Sequence, residues 1–329
     1  MTSSTVHAPL LAMRDVSCVI PTAQGEVAAL TDVDLTLRAG EILGLVGESG
    51  SGKSTLAKMI IGASARGART SGTIELDGVD LGAMPPEKAR RIRGRRIGIV
   101  FQDPMMALNP VVPVGRQITE GPRFMLGMSK TDARSLAVTL LGQVGIPEPE
   151  KRLDQYPHQF SGGMRQRLTI AMALSCSPDL LIADEATTAL DVTVQRQILD
   201  LLADLAAQRS LSMIMVSHDL SVIAGRTHTT AVLYAGRIVE QGPTPQIFAQ
   251  PRHRYTQALL EAIPRIDAPS HGRMKTIPGT PPNLMSLPPG CSFAPRCSRA
   301  GDDCVTSVPP VTIEAGDLYR CFHPAREVG

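Results

Sequence analysis

Residues 47–55 read GESGSGKST, and their types and spacing suit one chemistry, the holding of a nucleotide's phosphates. Gly47, Gly52, Lys53 and Ser54 fall at the GxxxxGK[ST] spacing. A loop built from glycines lets backbone N–H groups curl around phosphate oxygens. Lys53 would reach the β- and γ-phosphates, and the Ser54 hydroxyl would ligate Mg²⁺. Ser49, Gly50 and Thr55 complete this set of expected contacts. A second acidic constellation, LLIADE at 180–185, ends in Asp184 and Glu185. Carboxylates at the C-terminal edge of a buried strand lie where open α/β sheets bind ligands. Asp184 is expected to hold Mg²⁺ and Glu185 to polarise an attacking water.

Thiols form the other concentration of chemistry. Four of the six cysteines stand in the last forty residues, spaced Cys291-x₅-Cys297-x₆-Cys304-x₁₆-Cys321. Zinc sites more often begin with two to four residues between paired ligands, whereas [4Fe–4S] ligands come from more open loops. Spacing leaves zinc, an iron–sulfur cluster, and free or disulfide-bonded thiols all open. Cys18 and Cys176 sit among apolar or small residues and read as ordinary buried thiols.

The elements that must position these groups follow from hydrophobic pattern. The runs 41–47, 96–102, 180–185 and 211–218 are apolar throughout, as parallel strands buried on both faces are. Val194, Ile198, Leu201, Leu202 and Leu205 recur at helical spacing, as do Leu136, Leu140, Leu141 and Val144. Strands alternating with helices predict an α/β fold with a parallel sheet. Residues from about 104 to 172 read as an inserted helical subdomain. After about Arg265, proline and glycine become dense (IPGTPPNLMSLPPG), and such a tail cannot build much core without a staple. The expected division is therefore an ATPase-like domain over 1–264 and an extension over 265–329.

Composition narrows the classes. The chain has 329 residues, 43% of them hydrophobic and 19% charged, with a net charge of +2. A packed core is within reach and wholesale disorder is excluded. No apolar run is long enough to span a bilayer. The N-terminal stretch lacks the basic start and apolar length of a signal peptide, which points to the cytoplasm. There, clustered cysteines are more often ligands than structural disulfides. The basic run KARRIRGRR lacks interleaved aromatics and reads as a solvated helix face near anionic lipid rather than a nucleic-acid site.

Several stretches jointly resemble the ATP-binding subunits of ABC transporters. FSGGMRQR resembles the family's signature loop, with Ser161, Gly162 and Gly163. VFQDP resembles its Q-loop and places Gln102. TTALD resembles its D-loop, ending in Asp191, and VSHDL resembles its switch, placing His218. The resemblance implies a RecA-like parallel-sheet core, an antiparallel β subdomain and a helical subdomain. It also implies that two such chains pair head to tail around two ATP molecules. Ser161, Gly162 and Gly163 would meet the γ-phosphate held by the partner. His218 would hydrogen-bond that phosphate and support Glu185, while Gln102 would join Ser54 and Asp184 at Mg²⁺ and report to membrane subunits. An aromatic ring usual in the family is replaced by Ile20, an apolar contact for adenine without a π-face. Met164, Ala186 and Arg254 are further departures, none at a phosphate-handling position.

HQFSGGMRQR, LNPVVPVGRQI, TTALDVTVQ and RHRYTQALLEAIP are similar to the dipeptide and oligopeptide importers, a group that includes nickel and glutathione importers. That resemblance implies two permease subunits, a second and paralogous ATPase, an extracytoplasmic peptide-binding protein, and a place at the cytoplasmic face of the membrane. It also implies that Cys291, Cys297, Cys304 and Cys321 hold a [4Fe–4S] cluster, with zinc as the alternative. Met105, Met106, Met125 and Met128 would pack against a membrane subunit or fill core. Two other readings keep the fold: import of nickel chelates, glutathione or sugars, or an ABC ATPase that acts on nucleic acid.

Overall fold

The computed structural model describes residues 8–187, 191–263, 276–314 and 316–325. Residues 188–190 of the expected D-loop and the expected boundary at 264/265 lie outside the described residues. The chain forms two compact units, one of residues 1–37, 42–79 and 217–329, the other of residues 38–41 and 80–216.

In the first unit, β1 (Leu11–Thr22) and β2 (Gly25–Leu37) form a long antiparallel pair, from Leu11 opposite Leu37 to Thr22 opposite Gly25. β2 alternates buried Val33, Leu35 and Leu37 with exposed Asp32, Asp34 and Thr36, the period of a sheet with one wet face. β4 (Arg69–Leu76) adds to β1 antiparallel, and the short β5 (Val79–Asp80) follows it. β3 (Ile42–Val46) is buried at all five positions and pairs in parallel with β9 (Thr229–Tyr234). β9 turns back antiparallel into β10 (Arg237–Pro243). Helices α1 (Lys53–Ile60), α9 (Leu220–Ile223), α10 (Thr244–Ala249) and α11 (Arg254–Glu261) surround these strands in sequence.

Among the described residues the Pro-rich tail holds a 3₁₀ turn (Ala294–Arg296), a short helix α12 (Asp302–Thr306), and the hairpin of β11 (Thr312–Glu314) and β12 (Asp317–Tyr319). β12 zips antiparallel onto β10, with Glu240 opposite Tyr319. Phe293, 3% exposed, sits 5.4 Å from the ring centroids of both Tyr234 and Tyr255. The tail thus borrows a sheet edge and an aromatic core from the segment before it, which is how so apolar-poor a stretch is held.

In the second unit, α2 (Pro86–Arg96) leads into β6 (Ile97–Val100). β6 runs parallel to β7 (Leu180–Asp184), and β7 to β8 (Ser212–Ser217). Between β6 and β7 the chain is helical: α3 (Pro104–Ala107), α4 (Val114–Met125), α5 (Lys130–Gln143), α6 (Pro149–Arg152) and α7 (Gly162–Leu174). α8 (Val192–Arg209) buries Ile198, Leu199, Leu202 and Leu205, close to the expected stripe. Among the described residues no helix is long and apolar enough to cross a membrane.

Candidate nucleotide site

Each unit carries a share of the expected site residues. In the first, the chain leaves β3 at Val46, loops through residues 47–52 and enters α1 at Lys53. A Cβ on Gly47 would stand 2.1 Å from the Leu233 carbonyl oxygen, so only glycine fits there. Gly52 has φ 110° and a Cβ would meet the Ala29 carbonyl at 2.6 Å, while Gly50 (φ 80°) faces open space. Gly52 offers no side-chain cap to the start of α1, where the helix dipole favours an anion. The Ser51 hydroxyl is buried and has no protein partner. A glycine-rich loop that runs into a helix start beside an orphaned hydroxyl suits an anion with many acceptor oxygens. The buried Lys53 ammonium folds back over the loop, donating to the carbonyls of Gly47 (2.8 Å) and Glu48 (3.0 Å). Ser54 and Thr55 follow, half-buried, in the first turn of α1.

His218 is exposed directly after β8, and Asp219 beside it caps α9 by accepting from the Ser221 amide (2.8 Å). Ile20 lies half-buried in β1 opposite Val27, an apolar position on the antiparallel sheet.

In the second unit, Asp184 ends β7 and is 5% exposed. Glu185 follows at φ 46°, a left-handed conformation that costs a non-glycine residue on the order of 1 kcal/mol or more. Its amide donates to the Val216 carbonyl at 3.2 Å, which holds the turn. Val100 pairs with Ala183, so Gln102 and Glu185 leave the same edge of adjacent parallel strands. Gln102 is exposed, and Asp103 after it caps α3 through the Met105 amide (2.8 Å).

Ser161 caps α7, its hydroxyl accepting from the Met164 amide at 3.3 Å, and Gly162 and Gly163 open the helix. A Cβ on Gly163 would meet Val194 at 2.8 Å, so α7 and α8 approach closely at this point. Asp191 caps α8, accepting from the amides of Thr193 and Val194 at 3.1 and 3.0 Å. Thr188, Ala189 and Leu190 are outside the described residues.

The four tail cysteines, all free thiols, line one small pocket in the first unit. Burial pushes Cys291 up to about 11 and raises Cys304 and Cys321 as well. Such thiols stay protonated at neutral pH unless a cation draws the protons off. The amide of Cys291 donates to the carbonyl of Cys304 in α12 at 2.8 Å, tying two sides of the pocket together. Ligand atoms of Asp303, Cys304 and His323 lie within 4.8 Å of one another. The His323 ring nitrogen and the Asp303 carboxylate account for part of that closeness, being hydrogen-bonded at 3.0 Å.

Sequence reasoning missed one set of contacts to the phosphate loop. Glu48 is held by Arg296 and Tyr255, residues 248 and 207 positions away. No spacing rule connects them.

The ABC transporter family profile matches residues 30–188, and that of the oligopeptide/dipeptide transporter C-terminal region matches residues 239–304. The oligopeptide transport ATP-binding protein OppD of Salmonella typhimurium is 46% identical over 97% of this chain and 95% of its own length. OppD of Haemophilus influenzae is 44% identical over 97% and 98%. Among solved structures, a dimeric ATP-binding cassette in a post-hydrolysis state with ADP and Pi is 27% identical. It aligns with a TM-score of 0.64 over 71% of this chain and 98% of that one. The cbiO1 protein of Clostridium perfringens, part of an ABC transporter complex, is 26% identical with a TM-score of 0.62 over 73% and 91%.

Proposed function

The chain belongs to the ABC transporter family, and from that premise we propose that it is the ATP-hydrolysing subunit of an importer for di- or oligopeptides. One observation carries the reading: a phosphate-loop cassette is continuous, in one chain, with the C-terminal region of oligopeptide/dipeptide transporters. Relatives that match almost end to end bear the name of oligopeptide transport ATP-binding proteins.

Backbone amides of the loop from Ser49 to Ser54, other than that of Ser51, hold the β- and γ-phosphates, with Lys53 turning from the loop carbonyls to the nucleotide. Ser54, Gln102 and Asp184 would hold Mg²⁺, a donor set of neutral and anionic oxygens that suits a hard cation. The ion would supply positive charge against the phosphates. Glu185 orients and deprotonates the attacking water, supported by His218. Ser161, Gly162 and Gly163 meet the γ-phosphate of a partner ATPase, where the start of α7 favours an anion. Asp191 contributes at the same dimer face. ATP closes the head-to-tail dimer and hydrolysis releases it. The partner is a paralogue, and the pair works with two permeases and an extracytoplasmic peptide-binding protein, at the cytoplasmic face of the membrane. Exposed Met106, Val111 and Phe124 in the helical segment suit a permease contact.

Residues 265–329 form the extension, whose Cys291, Cys297, Cys304 and Cys321 hold a [4Fe–4S] cluster. The pocket they share supports this. The group supplies a covalent staple for the tail.

The test is ATP turnover by the chain assembled with its permeases in lipid, with and without peptide-loaded binding protein. Peptide-dependent stimulation is expected. Turnover indifferent to the permeases and to peptide would overturn the importer reading.

A further inference from the structure

We infer that Arg296 is a positioning residue for the phosphate loop, so that the cysteine-rich extension is a working part of the nucleotide site. This rests on residues 47–54 being the ATP-binding loop.

Glu48 lies inside that loop, between Gly47 and Ser49, and all three of its polar groups are committed. Its carboxylate takes a two-pronged grip from Arg296, Nη1 to Oε2 at 2.6 Å and Nη2 to Oε1 at 2.9 Å. Its amide donates to the Tyr255 hydroxyl at 2.7 Å. Its carbonyl accepts from Lys53 at 3.0 Å and from the Ser51 amide at 3.2 Å. The arginine is itself fixed: its side chain is 4% exposed, Nε donates to the Pro278 carbonyl at 2.8 Å, and Nη1 also reaches the Tyr234 hydroxyl at 3.3 Å. The rings of Phe293 and Tyr234 lie 5.9 and 6.0 Å from the guanidinium carbon.

Two physical consequences follow. A glycine-rich loop has the greatest backbone freedom to lose, and its amides bind phosphate well only if held in advance. Arg296 and Tyr255 pin the one loop residue that carries both a long side chain and contact to Lys53. Glu48 also places a negative charge in a loop that must receive a polyphosphate. The planar fork of an arginine offsets that charge and holds it in one geometry, which a lysine would not do equally. Arg296 sits in the turn Ala294–Arg296, between Cys291 and Cys297, and the Cys297 amide donates to Ala294 at 3.2 Å. What orders the cysteines therefore orders the arginine.

A double-mutant cycle on the full-length chain, read as equilibrium affinity for Mg-ATP, tests this. Arg296→Gln is expected to weaken binding about ten-fold, and to change it less than about two-fold in the Glu48→Gln background. Arg296→Lys is expected to fall between wild type and Arg296→Gln. A residue that merely anchors the tail would give the same loss in both backgrounds, and that result would overturn the inference, as would unchanged affinity in Arg296→Gln. Should Arg296→Gln not fold, the same cycle run with Arg296→Lys decides the matter. A wild-type chain that binds no ATP would instead overturn the loop's own assignment, and the inference with it.

Discussion

At the scale of single residues, the sharpest feature is Glu185, held at φ 46° by a bond from its amide to Val216. That conformation turns its side chain away from the direction a continued strand would give it, directly after the buried Asp184. Glu185→Gln keeps the shape and removes the base. ATP turnover in the assembled complex is expected to fall on the order of 10²-fold or more with ATP binding retained. Unchanged turnover would remove Glu185 from the mechanism. Both carboxylates were legible in the sequence because they end an unbroken apolar run. The strained backbone at Glu185 was not, because glutamate has no preference for it and only the neighbouring strand end imposes it.

At the scale of elements, helix starts recur where chemistry is expected. Ser161, Asp191 and Asp219 cap α7, α8 and α9 with their side chains, whereas Gly52 leaves α1 uncapped. Ser161→Ala should cost about 1 kcal/mol of stability through the lost cap. If the hydroxyl also meets a partner's phosphate, turnover in the complex falls several-fold with no matching change in ATP affinity of the isolated chain. Equal turnover at saturating ATP would limit Ser161 to capping.

The join between β10 and the tail carries its own signature. Glu240 is fully buried, accepts from the amides of Arg252 (2.5 Å) and His253 (2.8 Å), and is pushed up to about 7 by burial. An acid whose folded pKa exceeds its unfolded value holds its proton longer in the native state. The stability it contributes is full below its usual 4.5 and is lost as pH rises through about 7. The loss is on the order of 3 kcal/mol. Denaturant titrations should show wild-type stability declining across that window relative to Glu240→Gln. Parallel profiles would mean that Glu240 does not titrate there.

At the scale of the whole molecule, the tail changes from an appendage into a support. Chain purified without oxygen should carry about four irons and four sulfides, lost together in Cys297→Ser. The same variant should become protease-sensitive between Cys291 and Cys321. About one zinc and no sulfide would make the staple a zinc site and leave the nucleotide reading intact. The basic run was legible as helix α2, yet its surroundings were not. Arg91, Arg95 and Arg96 line a cleft with Phe124 and Cys176, residues that no periodicity ties to that helix.

The sequence alone determined what chain neighbours impose on one another. Glycine spacing gave the phosphate loop, since steric freedom is local, and apolar runs gave the strands whose ends carry Gln102 and Asp184. The order of short motifs gave the family. Tertiary structure decided what distant segments impose. It brought four cysteines to one pocket, laid β12 on β10, and set Arg296 on Glu48 across 248 positions. Contacts of that kind depend on packing rather than on spacing along the chain, so they leave no pattern to read until the fold is known.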